Sequence, residues 1–216
     1  MGKGMHGKAA TGHGHQTTGA VLEGGWRYDA EVWLMDRLVL RGRLRRLRAR
    51  VLELAGIGPD RRLLDVGCGT GTLAIEAARS AGSGGRIAGV DPSASQIARA
   101  KAKAARSRTD VEFRTGVIES LPFGDGSFDS VTSTLMLHHL PGDLKRQGLD
   151  EIYRVLGAGG RVVLADFDSA GGSPDGEDMA SLVAEAGFVG VSSERTRFPR
   201  THRNWTGATV ISASRP

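Results

Sequence analysis

The chain has one cysteine, Cys68, among its 216 residues. A single thiol excludes an internal disulfide framework and a multi-cysteine metal site. No apolar run reaches membrane-spanning length and the N-terminus carries no apolar signal core, so a soluble, cytoplasmic protein is expected. There is no internal repeat and no second composition that would mark another folded domain. The length suits one α/β domain with a sizeable core. Residues 1–24 have little apolar content and no periodicity, and are expected to form a disordered tail. His6, His13 and His15 lie there with neither cysteine nor carboxylate beside them, so no metal site is expected.

The charge balance is basic, with 29 Lys and Arg against 24 Asp and Glu and a formal net charge of +5. Such an excess raises nucleic acid as a partner. Much of it falls in one stretch, however: Arg41, Arg43, Arg45, Arg46, Arg48 and Arg50. Read as a helix, Leu40, Leu44, Leu47, Val51 and Leu54 recur at spacings of three and four, which places the arginines on a solvated face. A charged helix, rather than a nucleic-acid surface, is the expected meaning. The helical pattern extends over Trp26–Ala55 and stops at Gly56-Ile57-Gly58-Pro59. We divide the chain accordingly into a tail (1–24), an N-terminal helical lid (25–58) and a ligand-binding domain (59–216).

Beyond Pro59 strand and helix patterns alternate, which predicts a parallel sheet covered on both faces. Strands are expected at Arg62–Gly67, Arg86–Asp91, Val111–Gly116, Phe128–Ser133 and Arg161–Phe167. Helices are expected at Thr72–Ala81, Ala94–Arg106, Asp143–Leu156 and Glu177–Ala186, the third ending in the turn Gly157-Ala158-Gly159-Gly160. Two last strands, near Val189–Glu194 and Ala208–Ala213, have no helix between them and should pair antiparallel. The fold class is therefore α/β: a doubly wound, seven-stranded, mostly parallel sheet with an antiparallel last strand and N-terminal lid helices.

The most informative stretch is Leu63-Leu64-Asp65-Val66-Gly67-Cys68-Gly69-Thr70-Gly71. It joins a buried strand to a helix starting at Thr72. Glycines on alternate positions let a ligand touch bare backbone, and the helix start offers free N–H groups. A dinucleotide-binding loop needs a third glycine where Thr72 stands, so the pattern is G-x-G-x-G rather than G-x-G-x-x-G. Cys68 needs only to be small in this loop, since no base is placed beside it. In a doubly wound sheet ligands lie beyond the carboxyl ends of the strands. The second strand ends at Asp91-Pro92-Ser93, where the carboxylate is placed to accept from ribose hydroxyls or else to cap the next helix.

The run Asp65 to Gly71 resembles motif I of the class I S-adenosylmethionine-dependent methyltransferases. The stretch Gly116-Val117-Ile118-Glu119-Ser120-Leu121-Pro122-Phe123, followed by Asp125-Gly126-Ser127-Phe128-Asp129, is similar to the large "type 11" small-molecule group of that family. Tyr28-Asp29 matches a pair near the active site of related quinone C-methyltransferases. The resemblance implies S-adenosyl-L-methionine as cofactor and a small-molecule methyl acceptor, possible acceptor atoms being carbon, oxygen or nitrogen. It implies cofactor contacts from Asp65, Gly67, Cys68, Gly69, Thr70, Gly71, Asp91, Pro92, Gly116, Val117, Ile118, Ser133 and Thr134. One departure is clear. The family acid that meets the adenine amino group falls at Val117, so adenine is left to the backbone of Val117 and Ile118 and to apolar packing. Family methyl transfer asks mainly for alignment and exclusion of water, with a base where the acceptor must lose a proton. His138 or His139 could serve, with His138 the named candidate, although paired histidines at this place in members with unrelated acceptors favour a structural role. Tyr28 is the second candidate, its alternative being an anchor for the tail. One cysteine is too few for arsenite methylation. Methylation of RNA or protein, and cofactor binding without catalysis, remain the alternatives in other classes.

Overall fold

Leu63-Leu64 and Val162-Val163 put large side chains on both faces of their strands, and a strand apolar on both faces requires helices above and below it. The computed structural model describes residues 42–169, 178–197 and 205–216, and these form such a three-layer arrangement. The strands are β1 (Arg62–Val66), β2 (Arg86–Asp91), β3 (Glu112–Thr115), β4 (Phe128–Thr134), β5 (Leu156–Ser169), β6 (Val189–Arg197) and β7 (Trp205–Ser214). They make one sheet in the order β3-β2-β1-β4-β5-β7-β6. The first five run parallel, while β7 is antiparallel to both β5 and β6. The expected antiparallel pairing of the last two strands is therefore present.

The helices are α1 (Arg43–Ala55), α2 (Thr72–Ala81), α3 (Ala94–Ser107), α4 (Gly142–Val155) and α5 (Met179–Glu185). On one face Leu63, Phe113, Val163 and Val210 pack with Leu47, Val51, Leu73 and Ala100 from α1, α2 and α3. On the other, Leu64, Val131, Leu164 and Ile211 pack with Leu149, Ile152 and Leu182 from α4 and α5. Burying one such side chain is worth roughly 1.5–3 kcal/mol. Helix α1 starts at Gly42 without a side-chain cap, and its buried Leu44, Leu47, Val51 and Ala55 dock it instead. Its far end is tied to the sheet, as Ser130 Oγ donates to the Ala55 carbonyl at 2.6 Å. The part of the N-terminal segment that is described is thus built into one helical layer.

Two expectations change. The glycine-rich run 157–160 does not separate helix from strand: β5 begins at Leu156, directly after α4. Residues 157–160 bulge opposite the single residue Asp129, because Phe128 pairs with Leu156 while Ser130 pairs with Arg161. The bulge is held from the C-terminus, where Gly159 N–H donates to the Arg215 carbonyl and Arg215 N–H to the Gly160 carbonyl, both at 2.9 Å. Nothing local to these glycines announces that long-range pairing. The second change concerns Arg48. It lies four residues after Leu44 and three before Val51, so it shares their stripe and is only 21% exposed, paired with Glu76 at 3.2 Å. No helix among the described residues is long and apolar enough to cross a membrane.

Candidate active site

Successive strands add outward from β1 to β3, and β4 then returns to the other side of β1. The reversal leaves a crevice beyond the carboxyl ends of β1 and β4, where the chains of the two halves diverge. A cavity of about 220 Å³ opens there, edged by α1 and by the loops after β1, β2, β3 and β4.

The loop after β1 is fixed first by backbone bonds. Gly67 and Cys68 both donate to the Val90 carbonyl, at 2.8 and 3.0 Å, and Gly71 donates to the Cys68 carbonyl at 2.9 Å. Gly67, Gly69 and Gly71 all have positive φ, between 53° and 73°. The glycines do different work. A Cβ on Gly67 would stand 2.5 Å from Met136 Cγ, so the loop after β4 closes directly on this residue. A Cβ on Gly71 would stand 2.5 Å from Phe113 Cζ and 3.0 Å from the Ala100 side chain. Gly71 therefore serves packing of α2 against α3 and β3, and lies outside the cavity lining.

Asp91 is first of all a brace. Its Oδ2 accepts from Gly69 N–H and its Oδ1 from Ser93 N–H, each at 2.9 Å. Each carboxylate oxygen keeps a second lone pair for a ligand hydroxyl. Capping of α3 falls to Ser93, whose hydroxyl accepts from Gln96 N–H at 3.3 Å. Burial raises the Asp91 pKa, opposed by those two N–H bonds. Asp65 is 1% exposed. Burial pushes its carboxyl up to about 7, opposed by the Thr132 hydroxyl at 3.1 Å, while the charge of Asp91 adds to the rise. Burial also lifts the Cys68 thiol well above its usual range, with Asp65 and Asp91 adding, which suits a space-filling residue and not a nucleophile.

Gly116, Val117 and Ile118 line the cavity at the end of β3, and the last two are buried. The motif residues that follow hold this loop. Arg154 donates to the Phe123 carbonyl, the Leu121 carbonyl, Asp125 and Glu151, and Glu151 in turn accepts from Leu121 N–H at 2.7 Å. Asp129 pairs with Arg62 at the start of β1. The stretch Leu121–Asp129 is thus a structural clamp behind the lining.

After β4 the chain makes a strained turn. Leu135 has φ 57°, a region costing a non-glycine residue on the order of 1–3 kcal/mol, and its N–H donates to the Ala165 carbonyl at 2.8 Å. That conformation aims Thr134, Leu135 and Met136 at the cavity. Ser133, one residue earlier, is 1% exposed and lies outside the lining, its hydroxyl without a hydrogen-bond partner among the described residues. His138 is also outside the lining, bonded to Asp166. Tyr28 lies outside the described residues. All other expected cofactor residues, namely Asp65, Gly67, Cys68, Gly69, Thr70, Asp91, Pro92, Gly116, Val117, Ile118 and Thr134, meet at the cavity.

Sequence reasoning missed several lining residues, among them Arg48, Gln96, Glu119 and Met136, and it put His138 ahead of His139, the one of the pair that lines the cavity. For Arg48 the signal was present in its helical register beside Leu44 and Val51. For the others none existed short of the fold. Among the described residues no group of three or more His, Cys, Asp or Glu is placed to hold a metal ion.

Residues 63–160 match the family described as "Methyltransferase domain". Over 145 residues the chain is 34% identical to the ubiquinone/menaquinone biosynthesis C-methyltransferase of Geobacter sp. (strain M21), covering 66% of this chain and 59% of that relative. Over 141 residues it is 36% identical to a demethylmenaquinone methyltransferase of Thermus thermophilus, covering 65% and 61%. The chain spans about three fifths of the length of these relatives. Among solved structures, phosphoethanolamine N-methyltransferase 2 of Haemonchus contortus, in complex with S-adenosyl-L-methionine, superposes with a TM-score of 0.65 at 18% identity, over 79% of this chain and 52% of that one. At that identity the likeness is one of fold.

Proposed function

We propose that this chain carries a class I S-adenosylmethionine-dependent methyltransferase domain, in keeping with its similarity to the methyltransferases of quinone biosynthesis, and that it transfers the methyl group of S-adenosylmethionine to a small-molecule acceptor of quinone type. The observation that carries this reading is the cavity at the strand-order reversal, walled by bare backbone at Gly67–Gly69 and flanked by Asp91. The residues present fit the cofactor. Nothing lies within 4 Å of the place a Cβ on Gly69 would take, which leaves room beside the loop for the amino-acid portion. Asp91, already oriented by Gly69 and Ser93, has lone pairs left for ribose hydroxyls. Val117 and Ile118 offer backbone groups and apolar surface to adenine.

When bound, the cofactor supplies an activated methyl group on a sulfonium centre. The chain supplies alignment and dryness. Leu44 and Leu47 of α1, with Met136 and Leu140 after β4, give the cavity apolar walls that exclude water. The strained Thr134-Leu135-Met136 turn holds the side facing the acceptor in a single arrangement, and such positioning accounts for much of the acceleration of a two-substrate step. The expected lid residues 25–41, Tyr28 among them, lie outside the described residues; in this proposal the enzyme works in the cytoplasm. The test is calorimetric titration with S-adenosylmethionine and S-adenosylhomocysteine, then incubation of a metabolite extract with methyl-labelled cofactor and mass spectrometry of the products. Binding with label appearing in a small molecule is the expected result. No heat with either nucleoside refutes the proposal.

A further inference from the structure

Two adjacent histidines follow β4, and the fold uses them differently. His138 is spoken for: its backbone N–H donates to Asp166 Oδ2 at 2.8 Å and its Nδ1 lies 2.5 Å from Asp166 Oδ1. Asp166 belongs to β5, so this pair clamps the turn after β4 to the neighbouring strand. His139 lines the cavity with Met136 and Leu140, and its ring rests on that of His138 with centroids 3.9 Å apart. A titratable ring thus edges the reaction cavity and leans on a neighbour that is itself pinned.

Resting on the methyl-transfer reading above, we propose that His139 accepts the proton of the methyl acceptor, with the His138–Asp166 pair positioning its ring. The acceptor is then a hydroxyarene or enol, which sheds a proton as it gains a methyl group. Its O–H proton moves to a ring nitrogen of His139. The electron pair so freed, at oxygen or at the conjugated carbon, forms the new bond to the methyl carbon, and the carbon–sulfur pair returns to sulfur, which loses its positive charge. The proton then passes from the imidazolium to water.

The surroundings suit that role. Burial, and after it the neighbouring His138, hold the His139 imidazole below its ordinary 6.5, with Asp166 opposing. The ring is therefore neutral and able to accept at pH 7. The groups facing the same cavity are Asp65 and Asp91 from the ends of β1 and β2, Glu119 from the loop after β3, and Arg48 from α1, which is engaged with Glu76. Of the charged groups near the ring, the Asp166 carboxylate favours the imidazolium once it forms.

The test uses the full chain, labelled S-adenosylmethionine, and 1,4-naphthohydroquinone kept reduced as the hydroxyarene probe. His139→Gln is expected to leave the affinity for S-adenosylhomocysteine within threefold while lowering kcat by about 10²–10⁴-fold. The wild-type profile of kcat/KM should rise through a midpoint below 6.5, and this rise should vanish in His139→Gln. His138→Asn removes the neighbouring imidazole that holds His139 down, so its midpoint should move upward while the rise persists. A purely structural role for His138 would leave the midpoint in place. Turnover of His139→Gln within threefold of wild type, or an unchanged profile, overturns the proposal. Should His139→Gln not fold, the ring resonances of His139 in the wild-type complex with S-adenosylhomocysteine decide: they must shift when the probe is added. Binding of S-adenosylhomocysteine with no methylated probe overturns this proposal and leaves the methyl-transfer reading standing, whereas no binding removes both.

Discussion

Gly67 is the residue at which the loop after β1 and the turn after β4 meet, and Gly67→Ala tests that meeting. Two penalties apply. The backbone sits at φ 70°, and a left-handed conformation costs an L-residue roughly 1–2 kcal/mol. The new Cβ would also lie 2.5 Å from Met136 Cγ and 3.0 Å from Met136 Cβ, atoms near the root of that side chain that cannot swing away. Overpacking of this kind costs about 1–3 kcal/mol. The lost freedom of the unfolded glycine offsets about 0.4–1 kcal/mol. Gly69→Ala is the matched control. It has φ 53° and nothing within 4 Å of the added Cβ, so it carries the backbone penalty alone. We expect Gly67→Ala to be less stable than Gly69→Ala by about 1–3 kcal/mol in denaturant titration. A Met136→Ala background should narrow that gap without closing it, because the Met136 Cβ remains. Calorimetry with S-adenosylhomocysteine should show the larger loss of affinity for Gly67→Ala. Equal stability of the two variants, or a gap indifferent to Met136, would refute the account of the loop.

Other outcomes follow from single residues. The Asp65 carboxyl is held near pH 7 in the fold against an ordinary 3.8, so the folded state binds more protons between those values. Its contribution therefore favours the fold at low pH and is lost as pH rises through about 7. The unliganded wild type should lose stability relative to Asp65→Asn between pH 5 and pH 8, by up to about 3 kcal/mol in urea titration. A difference independent of pH contradicts the burial assigned to Asp65. Val117→Asp should bind S-adenosylhomocysteine on the order of three- to tenfold tighter by calorimetry, since it restores an acceptor for the adenine amino group. Unchanged or weaker binding counts against the placement of adenine at Val117. Arg154→Ala frees the loop at Leu121–Asp125 and should lower stability by about 2–3 kcal/mol, with Arg154→Lys recovering less than half because a lysine lacks the planar fork.

Much of this protein was legible before any tertiary structure. The alternation of doubly apolar strands with amphipathic helices dictated a doubly wound sheet, and the missing helix between Val189 and Ser214 marked the antiparallel end. Asp65 to Gly71 and Asp91 marked the site, because a strand of fixed polarity must deliver its last residues to one edge of the sheet. These inferences hold because they depend on local periodicity and on backbone permissiveness, which are properties of short segments.

What tertiary structure alone decided is which neighbours those segments meet. Gly71 and Ser133 belong to motifs that touch the ligand region, yet they face Phe113 and the buried side of β4. Arg48 shares the stripe of Leu44 and Val51 in sequence, but only the docking of α1 brings it to Glu76 and to the cavity. His138 and His139 look equivalent in a string of letters. Only Asp166, 28 residues further on and one strand away, separates an anchored ring from one at the cavity wall. Contacts between residues far apart in the chain depend on strand order and register, and no pattern within a single segment encodes them.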